Sequence, residues 1–293
     1  MLPSATEIVA ELGLIDSLVG VSEECRWPRE VIGKPVVTAA RIDPSSLSSL
    51  EIDAAVRASL VEGGSLYAVD ADLIAELDPD LIITQDLCSV CAVSSTELAD
   101  ACPVGAEVVS LDPRTLGEVA ASVQLLGERL GAAAEGERIA SRMRFSIEET
   151  AKVVQGCSPR RVFFAEWLDP PFCAGHWVPE MIELAGGRDV VGTAATPSRS
   201  LTWEEVMGHE PELVVLGPCG FGAEEAAERA KGLELGCPTV AVDGDSYFSR
   251  PAPRLADGVR QLAHLFHPEV APDPDLRTIW LAGDCPSREL RAG

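Results

Sequence analysis

Apolar residues along this chain recur in two rhythms, and the rhythms alternate. Ser4 to Leu12 has helical spacing, with Ser4 expected as the cap and Glu7 at the capping-box position. Short apolar runs at Val19–Ser22 and Pro35–Thr38 read as strands, and Ser45–Leu60 reads as a helix after a turn. Ala71–Leu77 is a predicted helix. Leu81–Thr84 is apolar on both faces, the mark of a buried parallel strand. A strand at Glu107–Asp112 precedes the longest helical stretch, Leu116–Leu130 and Ala132–Val154, interrupted at Gly131. Beyond Gly156–Pro159 come a strand at Arg161–Trp167, a loop, and a helix near Pro179–Ala185. They are followed by a helix-turn-strand unit at Thr202–Pro218, a helix at Glu224–Lys231 and a strand at Thr239–Asp243. A loop and a helix at Leu255–Phe266 complete the pattern, and the tail from Pro268 is expected to be peripheral.

The pattern repeats itself. Asp70–Gln85 (DADLIAELDPDLIITQ) and Thr202–Pro218 (TWEEVMGHEPELVVLGP) each run from a short helix through acid-Pro-acid into a branched apolar strand. Pro79 and Pro211 hold the same place. Asp72 and Glu204 each lie seven residues before that proline. A fainter echo relates Ile8–Ser22 to Met181–Ala194. An ordered pair of similar segments in each half predicts two lobes of one design with a ligand cleft between them. Strands alternating with helices make both lobes α/β with parallel sheets, joined by one long backbone helix. The expected divisions are an N-terminal α/β lobe over 1–114, connecting helices over 115–156, a C-terminal α/β lobe over 157–267 and a tail over 268–293.

Composition narrows the function. Lys plus Arg number 23 and Asp plus Glu 47, a formal net charge of −24 that repels nucleic acid and anionic membrane. No apolar run reaches the ~18–20 residues of a membrane span, so no membrane insertion is expected. Met1 is followed at once by a cap-and-helix string, so no signal peptide is expected. That reads as cytoplasmic for the chain as it stands, or extracytoplasmic if a leader has been trimmed. Nine cysteines do not form a small disulfide framework.

Ligands of parallel α/β sheets bind at loops after the carboxyl ends of strands. Those loops carry Glu24 and Cys25, then Gln85, Cys88 and Cys91, then Phe172, Cys173 and His176, then Cys219, then Tyr247, Phe248 and Arg250. Apolar walls with a few polar contacts suit a small-molecule site. Cys88-Ser-Val-Cys91 permits three readings. It is half of a metal site completed by Cys25, Cys173, His176 or Cys219, or a redox pair, or a buried pair of small residues. The Gly217–Glu225 loop resembles a phosphate loop, but Glu224 and Glu225 in the first helical turn oppose an anion there. A Cys-His hydrolase has no nucleophile elbow to support it. The early-turn acids Asp72 and Glu204 read either as helix-dipole partners or as one docking stud per lobe.

Four segments together resemble the cobalamin- and ferric-siderophore-binding branch of ABC-transporter substrate-binding proteins. They are LPSATEIVAELGLIDSLVGVSEECRWP, ELDPDLIITQ, DPPFCAGHWVPEMIELAGGRDVVG and SYFSRPAPRLADGVRQLAHL. The resemblance implies a non-catalytic binder with no required cofactor, a monomer that takes a cobalamin-type corrinoid and meets an ABC permease dimer. It also implies that Glu24, Leu66 or Tyr67, Gln85, Phe172, Tyr247, Phe248 and Arg250 line the cleft, and that Asp72 and Glu204 meet the permease. Glu24, Gln85 and Ser198 stand where cobalamin binders carry aromatics, with cysteines in neighbouring slots. The alternatives are a ferric siderophore, haem or metal ion held through the cleft cysteines, and a CxxC thiol redox enzyme.

Overall fold

A computed structural model describes residues 2–61, 65–86 and 105–282. Cys88 and Cys91 lie outside the described residues. The chain divides into two compact units, Met1–Pro113 with Ala121–Ala140, and Arg114–Ala120 with Ser141–Gly293.

In the first unit, α1 (Pro3–Glu11) leads through a short turn to β1 (Val21–Ser22) and β2 (Val36–Ala40). These strands pair parallel, and β3 (Tyr67–Val69) joins β2 antiparallel after α2 (Ser49–Val61). The capping expectation for α1 fails. Leu2 is the N-cap, Pro3 holds the first turn, and the Ser4 hydroxyl is buried with no hydrogen-bond partner. Proline at the first helical position has no N–H to satisfy and a preset φ, so it starts the helix without a side-chain cap. α3 (Ala71–Leu77) does carry a cap: Asp70 accepts from the Leu73 N–H. It feeds β4 (Leu81–Thr84), which pairs parallel with β5 (Glu107–Ser110) in register Leu81 to Glu107. Val37, Ile74 and Ile82 are buried together as the core beneath these elements.

α4 (Leu116–Arg129) and α5 (Ala133–Val153) are the two predicted central helices. They break at Gly131, whose φ of +72° is open to glycine at little cost. The chain passes from one unit to the other within each of them, after Ala120 and after Ala140.

The second unit is one six-stranded sheet. Its centre is β6 (Arg160–Leu168), flanked in parallel by β8 (Gly187–Asp189) on one side and β9 (Leu213–Leu216) on the other, with β10 (Thr239–Val242) parallel beyond β9. All four residues of β9 and of β10 are buried, and Phe163 and Phe164 of β6 are fully so, as a strand covered on both faces requires. Each such phenylalanine contributes about 1.5–3 kcal/mol of burial. Packed on this sheet or linking its strands are α6 (Val178–Leu184), α7 (Trp203–Gly208), α8 (Ala223–Arg229) and α9 (Leu255–Phe266). Two expectations are corrected. Part of the loop after β6 is a strand, β7 (Pro171–Cys173), which folds back antiparallel on β6. The tail is not wholly peripheral, because β11 (Thr278–Ala282) pairs antiparallel with β10 as the edge strand. The run of β-branched Thr278 and Ile279 followed by aromatic Trp280 carried that signal.

Candidate functional site

Three strand ends of the second unit converge on one rim. Trp167 and Phe172 are register partners across β6 and β7, so both rings stand on the same face of the hairpin. Trp167 meets Phe221 with ring centroids 5.7 Å apart, and Arg229 sits 4.1 Å above the Phe221 ring. The Cys219 N–H donates to the Glu166 carbonyl at 3.0 Å, tying the loop after β9 to β6. The Asp245 N–H donates to the Phe221 carbonyl at 3.2 Å, bringing in the loop after β10. That approach depends on Gly244, where a Cβ would lie 2.4 Å from the Gly217 carbonyl carbon. Tyr247 follows in a single helical turn, with Arg254 5.6 Å over its ring.

Polar groups on the rim are few. The Glu166 carboxylate accepts from the Gly175 N–H at 2.8 Å and pins the loop that carries His176. His176 is half-buried at φ 49°, its N–H bonded to the Thr196 carbonyl. Burial, with the Arg114 guanidinium adding to it, holds the imidazole below its usual value, so the ring is neutral near pH 7. Burial pushes the Tyr247 phenol and the Cys173 thiol up. Trp167, Phe172, His176, Cys219 and Tyr247 all remain partly exposed. Beside these aromatic and neutral side chains stand the charged groups Glu166, Arg229 and Arg254.

Other expected wall residues have different surroundings. Phe248 is 1% exposed, packed 4.9 Å from Phe164, and its carbonyl accepts from Trp177 Nε1 at 2.7 Å, so the ring is a core contact. Arg250 is likewise buried, and its guanidinium is held by both Asp245 carboxylate oxygens at 3.1 and 2.6 Å. Cys173 is buried in the second unit's core beside Phe163 and Leu216. In the first unit Cys25 packs with Val21 and Val31, its sulfur 3.1 Å from the Thr6 hydroxyl. Tyr67 leans on the core around Val37 and Ile74, and Leu66 is buried. Gln85 is buried just past β4, whereas Glu24 is half-exposed in the turn after β1 and pairs with Arg26 at 3.5 Å. Among the described residues, Cys25, Cys173, His176 and Cys219 do not gather into a metal-ligating group. Trp167 and Glu166 were missed. Both lay inside a predicted strand, and only the β6–β7 hairpin turns them toward the rim.

A small pocket in the first unit, lined by Leu18, Val37, Ile74 and Pro79, has a volume of ≈ 90 Å³. That is room for a few waters and no macrocycle. The two helix starts match closely. Asp70 caps α3 through the Leu73 N–H, and Thr202 caps α7 through the Glu205 N–H within a full capping box. Asp72 and Glu204 each stand one residue inside the first helical residue, and both are exposed.

Residues 2–198, more than half of the chain, match the periplasmic binding protein family. The chain belongs to this family. Among individual periplasmic binding proteins and their relatives, it is 24% identical over 271 residues to the vitamin B12-binding protein of Vibrio cholerae, covering 89% of this chain and 85% of that one. It is 25% identical over 282 residues to the uncharacterized ABC transporter substrate-binding lipoprotein YvrC of Bacillus subtilis, covering 92% and 79%. A periplasmic heme-binding protein from Pseudomonas aeruginosa has the same fold, with a TM-score of 0.68 at 18% identity over 92% of this chain and 91% of that one. Among the described residues no helix is long and apolar enough to cross a membrane.

Proposed function

We propose that the chain is the solute-binding component of an ABC importer and carries a cobalamin-type corrinoid without altering it. The observation that supports this most is the second unit's rim, where Trp167 and Phe172 share one face of the β6–β7 hairpin, Tyr247 is partly exposed after β10, and His176 is a half-buried imidazole held below its usual value by burial. A corrinoid is a broad ring with apolar edges and amide arms. Aromatic faces bury the ring, and a sparse set of polar groups orients the arms. Phe248 and Arg250 act at one remove, Phe248 by setting the floor under the rim and Arg250 by holding Asp245.

Asp72 and Glu204 are the proposed contacts to a permease bearing arginines, one acid per unit at the same position of equivalent helices. The names of the relatives support a site of action outside the cytoplasm. Fractionation of cells producing the protein from its own gene tests that.

A haem or ferric siderophore is the second reading, favoured by the heme-binding structural neighbour and by the aromatic side chains of the same rim. Thermal shift with cobalamin, cobinamide, haemin and a ferric siderophore separates the two. A rise with the corrinoids alone supports the first reading, and a rise with haemin alone replaces it with the second.

A further inference from the structure

Three ligand-type side chains meet on the second unit, at the end of the sheet from which β6 starts. Cys157 follows the turn that ends α5, with its N–H on the Val154 carbonyl. His267 closes α9, with its N–H on the Ala263 carbonyl at 2.8 Å. Glu269 lies two residues further on. The Cys157 sulfur, a His267 ring nitrogen and a Glu269 carboxylate oxygen all lie within 4.8 Å of one another.

The histidine is set for one task. Its Nε2 lies 2.9 Å from the Gly186 carbonyl oxygen, and a carbonyl can only accept. Nε2 therefore carries a proton, and Nδ1 is the ring nitrogen left to take a ligand. Gly186 is what allows this approach, because a Cβ there would lie 2.6 Å from Nε2. Nδ1 in turn faces Glu269 Oε1 at 3.7 Å. In the neutral ring these are two acceptors pointed at each other beside a thiol, an arrangement that a cation between them relieves. A backbone carbonyl fixing the far nitrogen is also the usual way a protein orients a metal-binding histidine.

We infer that Cys157, His267 and Glu269 form a site for a borderline divalent transition metal of the Zn2+ type, bound through sulfur, Nδ1 and a carboxylate oxygen with water in the fourth position. One soft, one intermediate and one hard donor match that class and not Mg2+ or Ca2+. Tetrahedral coordination needs donors roughly 3.5 Å apart, which the observed spacing reaches by small rotations of Cys157 and of the exposed Glu269. The thiol loses its proton to solvent on binding. The site is distinct from the aromatic rim and does not depend on which ligand the rim takes.

Metal-free, reduced, full-length protein titrated with Co2+ tests the assignment. The expected result is one equivalent bound with a thiolate-to-cobalt absorption band that Zn2+ displaces. Cys157→Ser abolishes the band, Glu269→Gln weakens binding by at least about tenfold, and a Cys88→Ser/Cys91→Ser double variant keeps the band. Circular dichroism of each variant reports folding, and His267, which also holds Gly186, is left intact. No binding at about 100 µM Co2+, or a band that survives Cys157→Ser, overturns the site. Unchanged affinity in Glu269→Gln overturns the three-ligand assignment.

Discussion

Asp78 and Glu210 share one backbone conformation: each is left-handed, at φ 43° and 49°, and each stands immediately before a proline. Proline disfavours right-handed helix at the residue before it, so α3 and α7 cannot run on, and the acid turns the chain directly into β4 or β9. An Asp tolerates this region better than most residues, whereas a glutamate pays roughly 1–2 kcal/mol for it. Gly at either position should leave the urea midpoint unchanged or raised, while Val should lower it by an amount equivalent to at least about 1 kcal/mol. Equal midpoints for the Gly and Val variants would mean that the turn is not set by this torsion.

Asp189 gives the protein a pH-dependent cost. Burial pushes its carboxyl up from 3.8 to about 6, although Oδ1 accepts the Val191 and Gly192 N–H groups, and Oδ2 is buried with no partner. A raised carboxyl means that the folded state holds its proton more tightly than the unfolded chain. The favourable contribution is complete below the unfolded value and is lost as pH rises through about 6. His176 works the other way, since its lowered value costs stability as pH falls through the ordinary histidine range. Comparing wild type with Asp189→Asn cancels the histidine. The variant should gain on wild type by about 2–2.5 kcal/mol between pH 4 and pH 8 in denaturant unfolding. A pH-independent difference would contradict this account.

Thiol accessibility separates the readings of the cysteines. Cys25 and Cys173 are 6% and 3% exposed, and burial raises the Cys173 thiol further from its reactive form. Iodoacetamide at pH 7.5, followed by peptide mass spectrometry, should label Cys219 while leaving Cys25 and Cys173 protected until the chain is unfolded. Rapid labelling of Cys173 in the folded protein would return it to the rim and revive a thiolate-ligand reading.

Docking and ligand capture should come apart on mutation. Asp72→Lys and Glu204→Lys reverse exposed charges at helix starts, at a cost to folding of about 1 kcal/mol or less each. Both variants should keep wild-type ligand affinity and lose stimulation of the transporter's ATPase. Full stimulation with both lysines in place would remove the docking assignment.

Much of the fold was legible because its signals are local. Ala71–Leu77, Leu81–Thr84 and Leu255–Phe266 form as their periodicity predicts. The break at Gly131 was readable from one residue type. What failed was long-range. Nothing local distinguishes Pro171–Cys173 as a strand until β6 is there to pair with it, or Ser4 as buried rather than capping. Candidate site residues were chosen by position after a strand, which places Phe172, His176, Cys219 and Tyr247 on the rim. Position does not say which way a side chain points. Phe248 follows Tyr247 yet turns into the core against Phe164, and Arg250 is taken by Asp245 five residues before it.

Corrinoid binding at the aromatic rim is tested most directly by calorimetric titration of the protein with cobalamin, alongside a Phe172→Ala/Tyr247→Ala variant. The account predicts one-to-one binding by wild type in the submicromolar range, and a loss in the double variant of at least about tenfold, the scale of one aromatic contact. No heat of binding to wild type at about 100 µM cobalamin, or equal affinity in the double variant, would contradict it.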